Sequence, residues 1–394
     1  MSFRQRFSRA VERGDPRLGL FAGVAISVVV AFAFARPELL ILPQRLELTV
    51  LDTLGFRLRT PVPESDKIAV IDIDDSTAKK IAWPMERRNY AMPILALDAL
   101  GARQIVFDVQ FKITVPEAGG YDPETGAFRL NSNDRFLRTA IARSGKVTLA
   151  YHIESKDYLA RLRPWSDKLK AAFTRRIGIG AEEVAAETGA PRDLLEEQFE
   201  GVREEFVSAA VAARMTKDPG LSFADLRKEF LPDYKPELQA VDLHMLHFGY
   251  WLWKARRLME EKRSPVVLEG LPEKAHRGAS ILTPAYPFLE AAAGVGCVNC
   301  DPDPDGVMRR PWAAVLLDGV PHAYLGFVAG ARDGGKMLLR PQEMVLRRDG
   351  VETPFPLDEE GRLLVNWAGN NRRPRLSTFV HVPLIKLVTY FKER

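Results

Sequence analysis

Residues 72–75 read Asp-Ile-Asp-Asp, placing three carboxylates within four positions. They follow Ile-Ala-Val-Ile at residues 68–71, an apolar run rich in β-branched side chains that predicts a buried parallel strand. Open α/β sheets bind ligands just beyond the carboxyl ends of their strands. Asp72, Asp74, Arg87 and Asp108 are therefore the candidate ligand-binding residues. Asp108 closes the next apolar run and comes beside Asp72 if the two strands lie in parallel. The alternative is a structural salt-bridge cluster that holds the Trp83-Pro84 turn against the sheet, since buried ion pairs are weak evidence of function.

Other groupings offer other chemistry. Asp72-x-Asp74-x-Ser76 after a strand resembles the opening motif of haloacid-dehalogenase-like phosphatases, in which one Asp is nucleophile, the next is acid/base and magnesium assists. That motif favours Thr or Val where this chain has Ser76. The second acidic pair it needs, with the spacing of Asp301 and Asp305, follows a cysteine-containing turn instead of an apolar strand. Asp301-x-Asp303-x-Asp305-Gly306 has the spacing of the first half of a calcium loop, but its ninth and twelfth positions are Arg309 and Trp312, which excludes an EF-hand. The simpler expectation is a turn whose acids pair with Arg309 and Arg310. Cys297 and Cys300, the two cysteines of the chain, are too few for a structural zinc site and read as a thiol pair or local disulfide in a turn. His244 and His247 lie beside Tyr250-Trp-Leu-Trp253 without a third ligand at motif spacing, so this cluster is a candidate partner surface. No metal, cofactor or catalytic residue is assigned.

The elements that position these groups follow from periodicity. After the strand at 68–71, the pattern at 88–100 predicts a helix stopped by Gly101, with Pro93 placing its regular start late. Residues 104–107 form the next strand, Asp134 opens a helix stopped at Gly145, and 146–152 form a third strand. This βαβαβ order predicts parallel pairing with right-handed crossovers. Residues 154–278 break the rhythm with dense charge and helix formers and no evident strand, which reads as a helical insertion. Strands follow at 312–317, 338–348, 351–355 and 363–367, with helices at 321–331 and 381–391. The fold class is α/β: a parallel-strand core with a long helical insertion.

The N-terminus sets the compartment. Residues 18–35 carry no charge, and at about 1.5 Å per residue they reach roughly 27 Å, enough to span a bilayer core. Five arginines precede the run and only Arg36 and Arg45 follow closely, which places the N-terminus in the cytoplasm. Ala33-Phe-Ala35 also suits signal-peptide cleavage, but the run exceeds the usual length of such a signal. Residues 1–17 are then a basic cytoplasmic tail, 18–35 a transmembrane anchor and 37–60 an amphipathic juxtamembrane helix. Residues 61–394 lie outside the inner membrane. A formal charge of +4 over 394 residues, without a dense basic face, gives no nucleic-acid signal.

The order of motifs carries a resemblance. Leu51-Asp-Thr-Leu-Gly-Phe-Arg-Leu-Arg59 is followed by Ile68-Ala-Val-Ile-Asp-Ile-Asp-Asp-Ser76 and Trp83-Pro-x-x-Arg87. Then come Gly101-Ala-x-x-Ile-Val-Phe-Asp-Val-x-Phe111, Asp305-Gly-Val-Met-Arg-Arg310 and Leu363-Leu-Val-Asn-Trp367. This set resembles the second type of CHASE domain, an extracellular sensor associated with bacterial cyclases and histidine kinases. The resemblance implies the sensor part of a transmembrane receptor, a homodimer that reads a small-molecule or protein ligand and has no catalysis of its own. It also implies a cytoplasmic adenylate or guanylate cyclase, or a kinase, beyond this chain. The chain departs from the pattern in its long insertion and in ending before further membrane helices. Two other functions are weighed against it: the magnesium-dependent phosphatase using Asp72 and Asp74, and a membrane-anchored protein-binding scaffold.

Overall fold

A computed structural model describes residues 65–111, 120–154, 160–303, 305–332, 334–365 and 379–393, with isolated positions at Val24, Ser27, Val28, Leu48 and Val50. The expected anchor and juxtamembrane helix lie outside the described residues apart from those five positions, which are helical. Among the described residues no helix is long and apolar enough to cross a membrane. The chain divides into a smaller unit (Met1–Ile68, Asp301–Arg309, Val365–Val380) and a larger one (Ala69–Cys300, Arg310–Leu364, His381–Arg394).

The described chain opens with strand β1 (Ser65–Asp72), helices α1 (Asp75–Lys80) and α2 (Arg88–Ala99), β2 (Ile105–Phe107), α3 (Ser132–Ser144) and β3 (Val147–Glu154). A 3-10 helix (Ala160–Trp165) leads into α4 (Ser166–Arg175), α5 (Ala181–Thr188), α6 (Arg192–Lys217), α7 (Phe223–Phe230) and α8 (Pro236–Lys262). Next are β4 (Val266–Leu268), β5 (Ser280–Leu282), α9 (Tyr286–Ala291), β6 (Gly294–Cys297), β7 (Ala314–Leu317) and β8 (Val320–Ala323). The chain continues with α10 (Leu325–Ala331), β9 (Lys336–Arg340), β10 (Glu343–Arg348), β11 (Val351–Pro356), β12 (Phe379–Pro383) and α11 (Leu384–Glu393).

The central sheet is built on β3. It pairs in parallel with β2, from Ile105↔Val147 to Phe107↔Leu149, and in parallel with β6 on its other side. Its last residues pair antiparallel with β5. The unit β2–α3–β3 is the parallel crossover that the sequence predicts. Asn131 caps α3 by accepting from the Asp134 N–H at 2.8 Å, and Gly145 ends it at φ 60°, a conformation that glycine adopts without strain. Leu137, Ile141, Val147, Leu149 and Ile153 are all fully buried in the core between α2, α3, α9 and this sheet.

β1 departs from expectation. It pairs with β12, not with β2, and Ile68 is 54% exposed. The apolar run that suggested burial on both faces lies in a two-stranded sheet with too little cover for that. Residues 381–383, expected in the last helix, belong to its partner strand. Pro93 sits inside α2, which already begins at Arg88, because Tyr90, Ala91 and Met92 are packed into the core ahead of it. A second sheet has the order β11-β10-β9-β4, with β4 parallel to β9 and the rest antiparallel. Asp349-Gly350 makes its β10–β11 turn with both residues at positive φ, as the Asp-Gly signal requires. Asp318-Gly319 does the same between β7 and β8, and this places residues 321–323, expected in a helix, in a strand.

The insertion is helical from 160 to 262, but residues 266–268 are a strand. The helices bury a core of their own around Phe173, Val207, Val211 and Leu246. The loop at 120–131 packs on it. Tyr121 stacks on His247 with centroids 3.7 Å apart, and the Gly126 carbonyl accepts from Trp251 Nε1 at 2.8 Å and from His247 Nε2 at 2.9 Å. Any side chain at Gly126 would strike the Phe223 ring.

Burial lowers the pKa of His247 to about 4, and burial does the same to His322, which bonds Tyr151 Oη at 2.8 Å. Both are folded as neutral rings, so the unfolded chain takes up the protons first as pH falls. Stability is therefore full above about pH 6.5 and decreases toward pH 4, by about 1.4 kcal/mol per pH unit for each histidine. Urea unfolding at pH 7.5, 5.5 and 4.5 measures this, and replacing both histidines with Phe flattens the profile.

Candidate functional site

Three of the four residues singled out by sequence take separate partners, and the fourth is placed by the sheet. Asp72, at the end of β1, bonds His381 Nδ1 of β12 at 2.7 Å. Asp74 caps α1. Its carboxylate accepts from the Thr77 hydroxyl at 2.8 Å and the Thr77 N–H at 2.9 Å, and these bonds hold its pKa below the usual carboxylate range. Arg87 precedes α2, pairs with Asp134 at the start of α3 at 3.0 Å and lies 5.0 Å from the Phe288 ring centroid on α9. Asp108 follows β2, so it sits at the carboxyl edge of the parallel sheet.

Around that edge the structure gathers groups that sequence reasoning did not connect. Tyr324 has its phenol pKa raised by burial, by the charge of Asp108, and by Cys300 and Cys297. Cys297 ends β6 and bridges in parallel to Tyr324. Burial pushes its thiol up to about 12, and Sγ donates to Asn299 Oδ1 at 2.8 Å. Both cysteines are thiols here, Cys297 buried and Cys300 half-buried. Asn299 itself is buried; it accepts from the Ile153 N–H at 2.9 Å and donates to the Ile153 carbonyl. Its amide thus continues the β6 side of the sheet where the β6 backbone has turned away. An asparagine between two cysteines carries only a turn signal in sequence, so nothing there announces this role. The edge offers a carboxylate, a phenol, a half-buried thiol and polar main chain, a set suited to hydrogen-bonding a ligand.

The second acidic motif is a closed ion-pair turn. Arg309, 1% exposed, reaches Asp303 at 3.3 Å and both Asp305 oxygens at 2.8 Å. Gly306 makes the turn at φ 82°. The Arg309 guanidinium holds the Asp305 carboxyl well below its usual range. These carboxylates are committed to arginine, which answers the calcium-loop spacing. Among the described residues no group of three His, Cys, Asp or Glu side chains is placed to hold a metal.

A parallel core with a helical insertion, a strand pair joining both ends of the described chain and an Asp-x-Asp-Gly-x-x-Arg turn closed on a buried arginine is the arrangement of the ordered motifs. The family model of the CHASE2 domain matches residues 24–393. The chain belongs to the CHASE2 family. CHASE2 is a sensory domain of the extracellular type, and the match runs from before the core to its last helix. Among curated proteins and among solved structures no significant match is found.

Asn299→Ala strips two hydrogen bonds from the buried Ile153 main chain. Leaving such groups unpaired costs about 1–3 kcal/mol each, so the variant should unfold at clearly lower urea concentration. Asn299→Asp keeps the acceptor but loses the donor to the Ile153 carbonyl, and should also be less stable than the native chain.

Proposed function

We propose that this CHASE2 chain is the extracytoplasmic sensor region of a bacterial transmembrane receptor that controls a cytoplasmic adenylate or guanylate cyclase or a kinase. The family match over residues 24–393 is the observation that carries the reading. The uncharged run at 18–35, flanked by arginines, supports a single inner-membrane anchor with the bulk of the chain outside. A dimer would couple two such chains.

Ligand is read at the carboxyl edge, where Asp108 is the ionisable contact. Asp72, Asp74 and Arg87 act on the frame. The Asp72–His381 bond joins the strand that follows the juxtamembrane segment to the strand that leads into α11, so a shift at either strand is felt by the other. Ligand occupancy acts by favouring one of two arrangements of this joint. The phosphatase reading draws no support from the geometry, because Asp74 faces its own helix terminus and Asp72 faces His381.

The test uses the receptor with its output domain attached. Asp108→Asn should abolish the response of output to stimulus while leaving the unfolding transition in place. His381→Ala should uncouple output with a basal level that no longer depends on stimulus. A full response in both variants removes these residues from the signalling path.

A further inference from the structure

A cleft of about 520 Å³ lies between α6 and α8 of the insertion and the end of the central sheet. This is within the range of ligand pockets, about 300–1,000 Å³. Glu154, the last residue of β3, borders it, so it opens at the carboxyl end of the central strand.

Residues 279–283 all line this cleft in succession. Consecutive strand residues point to opposite faces, so the three residues of β5, with Ala279 and Thr283 on either side, share one space through its backbone edge. Among the described residues β5 pairs only with β3. The register identifies the groups on the open side. Ile153 lies opposite Ile281, and the Ile153 N–H and C=O are both taken by Asn299. In an antiparallel pair, two opposed residues either exchange both hydrogen bonds or both turn their polar groups outward. Asn299 therefore makes Ile153–Ile281 the outward kind, and the N–H and C=O of Ile281 point to the open edge. They form one donor-acceptor pair with the spacing that an added strand needs.

The walls suit a peptide. Phe248 and Trp253 line the cleft with apolar surface, while Glu205 and Arg256 supply both signs of charge at its exposed rim. Ser208 also lines it, with a buried hydroxyl oxygen that has no hydrogen-bond partner among the described residues. Where Gly249 passes Ser208, a Cβ would come within 3.2 Å of the Ser208 Cα, so the helices cross too closely there for a side chain to fill the floor.

We propose that this cleft binds a short zwitterionic peptide in extended form, added as a strand to β5 through Ile281. The inference adds a site apart from Asp108, which does not line the cleft, and it rests on the sensor reading for the meaning of the signal but not for the binding itself. The test titrates the full chain with the tripeptide Ala-Leu-Ala, its termini free, by calorimetry. A second titration uses the same tripeptide with both amide nitrogens methylated, which removes the main-chain donors and leaves the side chains. Binding of the first and at least tenfold weaker binding of the second is the expected result. Ala209→Trp, which fills the cleft, should abolish binding and keep the unfolding transition. Equal affinity for the methylated peptide, undiminished binding to a folded Ala209→Trp protein, or no binding of Ala-Leu-Ala overturns the proposal. If the peptide is not bound while the intact receptor still responds to stimulus, the cleft assignment fails and the sensor reading stands. If it binds as expected and receptor output never changes, the reverse holds.

Discussion

Two hydrogen bonds between the Asn299 amide and the main chain of Ile153 decide how the central strand is shared. β3 has β2 and β6 beside its first half, where main chain meets main chain. At Ile153 the β6 backbone has left, and an unpaired buried N–H and C=O would each carry a desolvation penalty. The side chain of Asn299 removes that penalty on one side, which frees β5 to take the other. The same amide accepts from the Cys297 thiol, so the end of β6, the end of β3 and the direction of the β5 edge are fixed by one residue.

The charged motifs behave differently. Most of the carboxylates that look chemically active in sequence are consumed close to home. Asp74 serves the Thr77 N–H and the Thr77 and Ser76 hydroxyls of its own helix, Asp303 and Asp305 enclose Arg309, and Asp72 alone of these has a distant partner, His381. Acids satisfied in this way hold local structure, which suits a sensory domain. Asp108 stands apart in lying where the sheet topology places ligands and in influencing a half-buried phenol.

What could be read in advance follows a physical divide. Local signals were legible: the β2–α3–β3 crossover, with its stop at Gly145, and the Asp349-Gly350 turn are written in neighbouring residues. The helical character of 160–262 was equally plain from its composition. Pairings across the chain were not. β1 has its partner some three hundred positions later, and an apolar run says nothing about which strand will cover it. β4 is three residues long, too short for any period to show. Of the site, the acids were visible as types, but their allegiance depended on Arg309, Thr77 and His381. Asn299 gave no signal, because its importance comes from where Ile153 is brought by folding.

The distance in sequence between those two partners has a kinetic consequence. The Asn299–Ile153 bonds close a loop of 146 positions, and the insertion lies inside it. Contacts within the insertion's helices are mostly local and form early, whereas closing a long loop is slow and brings its reward late. This difference in loop length favours a helical core that condenses before Asn299 returns to Ile153. Until then β3 is a template for pairing with another chain. The insertion thus sits as a spacer inside the loop whose closure covers that edge.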